Sequence, residues 1–415
     1  MTATVTTSPA RAALRPLDEA LQDLLARAEP ALPEESVSTF DADGRVLTKD
    51  LRSPLDVPGH DNSSMDGYAL RLADLPADLP VSQRIAAGSA AAPLQPGSVA
   101  RIFTGAPVPP GADAIVMQED ALVLESGRVQ IKASPSAGQW IRRRGEDVAR
   151  GAVVLHRGQR LSPAELGLAA SIGFDRLPVA RRVRVALLST GDELVMPGQV
   201  APEAMPPGAI YNSNRFFLRA LLLRLGCEVS DLGIVPDDRQ ATVQALGQAA
   251  QDHDLILTSG GVSVGEEDHI KPAVQALGEL QLWQIAIKPG KPFAYGRVNH
   301  GSGFAHFIGL PGNPVSSFVT FLLLVRPFLL RLQGASGERP PALMLPAHFD
   351  WPKPDKRREF LRVRRNAQGG LDLFANQSSG VLTSAVWADG LLDVAPGLRI
   401  ARGDLLPFIP LASLL

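Results

Sequence analysis

Leu17, Leu21, Leu24, Leu25 and Ala28 recur at helical spacing, which predicts an amphipathic helix over residues 17–28. Asp43-Gly44 predicts a hairpin turn between 37–40 and 45–47. From about 51 to 145 the apolar runs are short (98–103, 114–118, 121–124, 129–132) and cut by Pro and Gly, the pattern of an all-β module with tight turns. Ser162-Pro163-Ala164-Glu165 then supplies an N-cap, a proline at the first helical position and the Glu of a capping box, opening a helix that runs to Gly173. Beyond Arg182 the pattern changes. A continuous apolar run at 183–188, a strand at 229–235 and a buried strand at 254–258 alternate with helical periods at 214–225, 239–251 and 270–277. Strands at 283–287, 293–298 and 304–308 and a long helix at 314–332 follow. This alternation predicts a doubly wound α/β sheet covered on both faces. After a linker at 333–341, runs at 342–348, 359–364, 371–375 and 404–409 predict a small barrel or sandwich.

Composition narrows the class. A chain of 415 residues with 45% hydrophobic and 20% charged residues holds several cores, and 38 Gly with 35 Pro favours many turns and several small domains. A net charge of -2 argues against general nucleic-acid affinity. The basic stretch 353–365 is expected to be a solvated strand face, since Phe360, Leu361 and Val363 alternate with its cations. The single cysteine, Cys227, excludes an intramolecular disulfide and a Cys-rich metal site; a buried structural role is expected for it. Residues 1–13 lack the apolar core of a secretory signal. The longest apolar run, 318–330, is interrupted by Arg326 and Pro327 and is too short to span a bilayer. A soluble, cytoplasmic protein is expected, with no nucleic-acid or membrane partner.

Candidate chemistry collects where strands end, the edge at which open α/β sheets bind ligands. The run 183–188 leads into Ser189-Thr190-Gly191-Asp192-Glu193, small residues followed by carboxylates. The strand 254–258 leads into Ser259-Gly260-Gly261-Val262-Ser263-Val264-Gly265-Glu266-Glu267-Asp268. Its glycines and serines form a nest of N–H donors suited to phosphate. It is neither a Walker A loop nor a dinucleotide fingerprint. The strand 304–308 leads into Gly309-Leu310-Pro311-Gly312-Asn313-Pro314, where Asn313 is placed as N-cap and Pro314 as the first helical residue. Lys288 and Lys291 sit on a proline-stiffened turn, and Asp237-Asp238 follow the strand 229–235, one of them expected to cap the next helix. Carboxylates beside an anion cradle repel the anion unless a divalent cation lies between them. Glu193, Asp237 and Asp268 are therefore candidate ligands of Mg²⁺ bridging to a phosphate or pyrophosphate.

Taken together, Asn62-Ser63-Ser64-Met65-Asp66-Gly67-Tyr68-Ala69, Phe103-Thr104-Gly105-Ala106, Gly111-Ala112-Asp113-Ala114-Ile115-Val116 and the loops above resemble the molybdopterin molybdenumtransferase (MoeA) family, including the E domain of gephyrin. The resemblance extends from about Leu17 to the C-terminus. It implies four domains: an N-terminal linker and dimerisation domain (14–50 with 146–180), an inserted β module (51–145), an α/β molybdopterin-binding domain (181–332) and a C-terminal β-barrel (340–415). It further implies a homodimer whose cleft joins the α/β domain of one subunit to the β module of the other. Adenylated molybdopterin and molybdate are the implied substrates, with AMP as leaving group. The adenylyltransferase that makes the substrate, and apo-molybdoenzymes or their chaperones, are implied partners. By position, the implied catalytic residues are Asp66, Thr104, Asp147, Glu193, Asp237, Asp268 and Lys288. Substrate contacts are expected from Ser189, Thr190, Gly191, Ser259, Gly260, Gly261, Ser263, Gly265, Lys291, Pro311, Gly312, Asn313, Pro314 and Ser379. One position departs: some relatives carry a basic residue where this chain has Gln284, and Arg142 to Arg144 are the substitutes the sequence offers.

Overall fold

The structure, a computed structural model of the chain, describes residues 14–29, 32–261, 269–301, 303–337 and 342–414. The described residues form two compact units, one drawn from 14–35, 44–48 and 179–414, the other of Ser36–Asp43 and Lys49–Pro178. The predicted first helix is α1 (Leu17–Arg27), with Leu17, Ala20, Leu21 and Leu24 buried in the first unit.

In the second unit a four-stranded sheet is built from β1 (Gly67–Leu70), β2 (Val81–Ile85), β3 (Val99–Ile102) and β4 (Ala114–Met117), in the order β2-β3-β1-β4. Its central strand β1 is buried along its whole length, because Tyr68 and Leu70 enter one core and Ala69 another. The capping box forms as expected: the Ser162 N–H donates to the Glu165 carboxylate at 2.9 Å, opening α2 (Pro163–Ser171). The expected hairpin at Asp43-Gly44 does not form. Thr39 donates its N–H to the Asp175 carbonyl at 2.8 Å, and Leu47 instead bridges Val179. Both flanks pair with the segment 175–180 instead of with each other, the first as a two-stranded ribbon of Glu34–Ser38 with Arg176–Ala180 and the second through the single Leu47–Val179 bridge.

The first unit carries a six-stranded sheet. Its strands are β5 (Arg184–Thr190), β6 (Glu228–Val235), β7 (Leu255–Ser259), β8 (Gly278–Gln284), β9 (Pro292–His300) and β10 (Gly303–Leu310), ordered β6-β5-β7-β10-β9-β8. The first four run parallel, and β9 and β8 add an antiparallel edge. Along β5, Val185 and Leu187 enter one core with α1, α3 (Asn214–Arg224) and the last helix, while Ala186 and Leu188 enter the other with α4 (Arg239–Asp252) and α5 (Ile270–Leu277). Two-sided burial is why β5 and β7 read as continuous apolar runs, whereas β6, at the sheet edge, is largely exposed. The predicted long helix is α6 (Pro314–Thr320), a π-helical stretch Phe321–Val325 and α7 (Arg326–Leu332). As one helix it is long and apolar enough to cross a membrane by composition, yet 83% of its apolar window is buried inside the fold, so it serves as a core helix.

The C-terminal strands are β11 (Leu343–Pro346), β12 (Arg358–Arg365), β13 (Leu371–Leu373), β14 (Gly390–Val394) and β15 (Leu405–Pro410), with α8 (Thr383–Trp387) before β14. They pair in the order β13-β12-β14-β15-β11, and an Ala347–Leu371 bridge links the two ends. The expected solvated basic face is found only in part: Lys353, Lys356, Arg364 and Arg365 are exposed, but Arg358 and Arg362 are turned to partners. Arg362 is 1% exposed, and Arg358 pairs with Asp393 at 2.5 Å. Arg362 gives its guanidinium to the Ser384 hydroxyl at 3.1 Å and the Phe360 carbonyl at 3.0 Å, and burial pushes its pKa down to about 10.

Candidate functional site

Strands β5 and β7 are neighbours, and the helices that follow them, α3 and α5, pack into the cores on opposite faces of the sheet, which makes the gap between their carboxyl ends a topological switch point. Register puts the flanking loops at one edge: Thr190 pairs with Val235, Ser189 with Ser259 and Ser259 with Leu310. The loops carrying Glu193, Asp237, Gly260 and Pro311 therefore emerge together. The loops of Glu193, Gly260 and Pro311 border a cleft of about 640 Å³ lined by Thr190, Glu193, Ser259, Gly260, Pro311, Gly312, Asn313, Pro314, Ser316 and Gly380, among others, while Asp237 is not among its lining residues.

Backbone geometry explains the glycines. Gly191 has φ 135°, and a Cβ there would lie 2.4 Å from the Glu193 carboxylate, which folds back over it. Gly261 has φ 66°, and a Cβ would lie 2.7 Å from Ile270 Cγ1. A side chain at Gly191 would push the Glu193 carboxylate aside, one at Gly261 would crowd Ile270 and Thr190, and both would be strained by the positive φ. Ser189 and Thr190 are buried beneath the cleft at 1% and 6% exposure, and the Ser189 hydroxyl has no hydrogen-bond partner among the described residues.

The acidic pair separates by role. Asp238 is the cap of α4, accepting the Ala241 N–H at 2.8 Å. Asp237 is half-buried, and its N–H reaches the Asp192 carboxylate at 3.4 Å, which ties its loop to the one bearing Glu193. Ser263, Gly265 and Asp268 lie outside the described residues. Among the described residues no group of three or more His, Cys, Asp or Glu side chains comes together to hold a metal. Glu193 and Asp237 offer the oxygen donors a hard divalent ion prefers, and such an ion commonly takes one or two carboxylates and completes its shell with phosphate oxygens and water.

Asn313 stands at the N-cap of α6 as expected, but its side chain makes no capping bond. The Ser379 carbonyl accepts the Val315 N–H at 2.9 Å, which brings the expected C-terminal contribution to the helix start and places Gly380 on the cleft. Lys288 is directed elsewhere. Ile287 and Lys288 pair with Arg358 and Glu359, and the Lys288 amine lies 3.0 Å from Glu359 and 3.4 Å from Asp355. The Lys291 carbonyl accepts the Ile285 N–H at 2.7 Å, and Pro292 lines the cleft.

Asp66, Thr104 and Asp147 belong to the second unit. Thr104 donates both its N–H (2.8 Å) and its hydroxyl (2.7 Å) to one Asp66 oxygen. These bonds, the backbone one foremost, hold the exposed Asp66 carboxyl below its ordinary range. Asp147 is exposed and bonds through its N–H to the Val57 carbonyl at 3.1 Å. Of the offered substitutes for a cation at Gln284, Arg143 and Arg144 are paired, at 2.6 Å each, with Asp61 and Asp56. Two site residues escaped sequence reasoning. Asn212 and Asn214 line the cleft at the start of α3, and the Asn214 amide donates to the Ser259 hydroxyl and the Gly312 carbonyl, both at 2.7 Å. The string Asn212-Ser213-Asn214 ahead of a helical run was the available signal.

Comparison with known proteins agrees with this architecture. Residues 15–173 match the MoeA N-terminal region (domain I and II), 186–331 a probable molybdopterin binding domain, and 344–411 the MoeA C-terminal region (domain IV). The chain is 42% identical over 365 residues to the molybdopterin molybdenumtransferase of Haemophilus influenzae, covering 86% of this chain and 88% of that one. It is 38% identical over 379 residues to the molybdopterin molybdenumtransferase of Synechococcus elongatus, covering 88% and 92%. Among solved structures, the molybdopterin biosynthesis moeA protein of Pyrococcus horikoshii OT3 matches with a TM-score of 0.81 at 28% identity, covering 95% of this chain and 99% of that one. With family matches along nearly its whole length, the chain belongs to the molybdopterin molybdenumtransferase (MoeA) family, transferases of molybdenum cofactor biosynthesis.

Proposed function

We propose that the protein is a cytoplasmic molybdenum insertase acting on adenylated molybdopterin and molybdate. Water cleaves the phosphoanhydride joining pterin phosphate to AMP, AMP leaves, and molybdate bonds to the two dithiolene sulfurs as one of its oxygens departs as water with the two thiol protons. One observation carries the reading: acidic and glycine-rich loops share one sheet edge at the switch point, around a cleft of about 640 Å³. Glu193 and Asp237, with Asp268, are the residues to hold Mg²⁺. Bound there, the ion neutralises pyrophosphate charge. The turn at Ser259-Gly260-Gly261 and the loop Pro311–Pro314 orient the phosphates, and Asn214 fixes those two loops to each other. The same reading makes the protein a homodimer in which Asp66 and Thr104 of one subunit complete the cleft of the other. The adenylyltransferase that supplies the substrate, and apo-molybdoenzymes or their chaperones, are its partners.

Purified protein incubated with adenylated molybdopterin, molybdate and Mg²⁺ is expected to release AMP and form active cofactor. Asp237→Ala should slow AMP release about 100-fold, roughly 2.7 kcal/mol of barrier, with the fold intact. A well-folded Asp237→Ala protein with unchanged turnover would overturn the assignment.

A further inference from the structure

Asn212 stands in the cleft wall at 2% exposure, just before α3. Ser213 already has helical dihedrals (φ -80°, ψ -32°), so Asn212 is the physical cap, and its Oδ1 accepts the Arg215 N–H at 3.2 Å. That engages one end of the carboxamide. The other end, Nδ2, is buried and donates to nothing among the described residues. Capping accounts for the acceptor oxygen, which Ser or Asp would supply equally well. It does not account for a buried donor left unmade, which costs stability unless something fills it.

The surroundings say what would fill it. The N–H groups of Ser213, just before the eleven-residue helix α3, and of Asn214, its first residue, also find no acceptor among the described residues. Like every helix start, this one presents positive partial charge. No Lys or Arg is among the residues bordering the cleft, and Glu193 is, so a negative ligand here depends on neutral N–H donors. Asn214, bonded to Ser259 and Gly312, holds this helix start against the two neighbouring loops.

We propose that the N-terminus of α3, with the Asn212 side-chain amide, is an oxyanion subsite of the cleft. It takes a tetrahedral oxyanion, either a phosphate group of the nucleotide-linked substrate or free molybdate. The assignment rests on reading the cleft as the substrate site proposed above.

Two variants separate capping from ligand binding. Asn212→Asp keeps the cap acceptor and turns the spare donor into an anionic oxygen; Asn212→Ser keeps an acceptor and removes the second donor without adding charge. The full-length protein is titrated calorimetrically with sodium molybdate and, separately, with inorganic pyrophosphate. Wild-type protein is expected to bind at least one probe, Asn212→Asp to weaken that binding about tenfold or more, and Asn212→Ser to weaken it less. The probe affected identifies the source of the oxyanion. If burying a carboxylate unfolds Asn212→Asp, the neutral Ser variant alone decides. Wild-type affinities in the folded variants, or no binding of either probe to wild-type protein, would overturn the subsite. Neither titration requires turnover. AMP release with unaltered oxyanion affinities in both variants sinks the subsite and leaves the proposed function standing. The expected affinity losses in a protein that never releases AMP do the reverse.

Discussion

His306, on β10, is 8% exposed, with its Nδ1 2.9 Å from the Tyr295 hydroxyl and its ring 5.0 Å from that of Phe328. Burial, reinforced by the Arg297 charge and only partly opposed by Asp254, lowers its pKa from 6.5 to about 4. The native state therefore resists a proton that the unfolded chain accepts. Between pH 6.5 and 4 the unfolded state binds more protons, so stability falls as pH falls through that window and is unaffected by this group above it. The full effect approaches about 3 kcal/mol at pH 4. Replacing His306 by Gln, which can still bond to Tyr295, should flatten the loss. Denaturant unfolding at pH 7 and pH 4.5 checks it: parallel losses in wild-type and variant would show that His306 is not the group responsible. None of this was legible in sequence, where His306 is one apolar-flanked position in a strand and its neighbours lie on other elements.

At the scale of elements, local chemistry was readable wherever it is complete within a few residues. Ser162 to Glu165 carries its own capping box, and β5 and β7 of the α/β domain announce two-sided burial through unbroken apolar runs. Elements defined by distant partners were not readable. Gly67–Leu70 is buried by β3 and β4, which arrive much later in the chain. The strand Gly390–Val394 was missed, as was the short helix Thr383–Trp387 before it. Asp237-Asp238 lies between these cases, because sequence demands one cap without saying which residue supplies it. The structure gives the cap to Asp238. Asp238→Ala should therefore cost roughly 1 kcal/mol of stability, whereas Asp237→Ala should mainly reduce turnover. Thermal melts of the two variants side by side check the division; a larger loss of stability from Asp237→Ala would reverse the roles.

For the molecule as a whole, the order of loops along the chain says little about which of them meet. Sequence placed Glu193, Asp237, the glycine-rich turn and Pro311 at strand ends, and the strand order β6-β5-β7-β10 puts those ends side by side. Lys288 shows the limit: its ion pairs are with Asp355 and Glu359, carboxylates from a part of the chain whose approach no local motif encodes. Asp66 and Thr104 raise the larger question, since they form a carboxylate-hydroxyl pair in a different compact unit from Glu193 and Asp237. If each cleft draws its Asp66 from the second subunit, a defect at Asp66 and a defect at Asp268 disable a cleft independently. A heterodimer of Asp66→Ala and Asp268→Ala chains then contains one cleft with both defects and one with neither. Mixing the two inactive proteins under conditions that exchange subunits should restore up to about one quarter of wild-type turnover, because random pairing makes half the dimers mixed and each has one intact cleft of two. If both residues instead serve the same cleft from one chain, every cleft keeps a defect and the mixture stays inactive. Turnover that stays at the level of the separate variants, in a mixture shown by mass spectrometry to contain heterodimers, would therefore rule out the shared cleft.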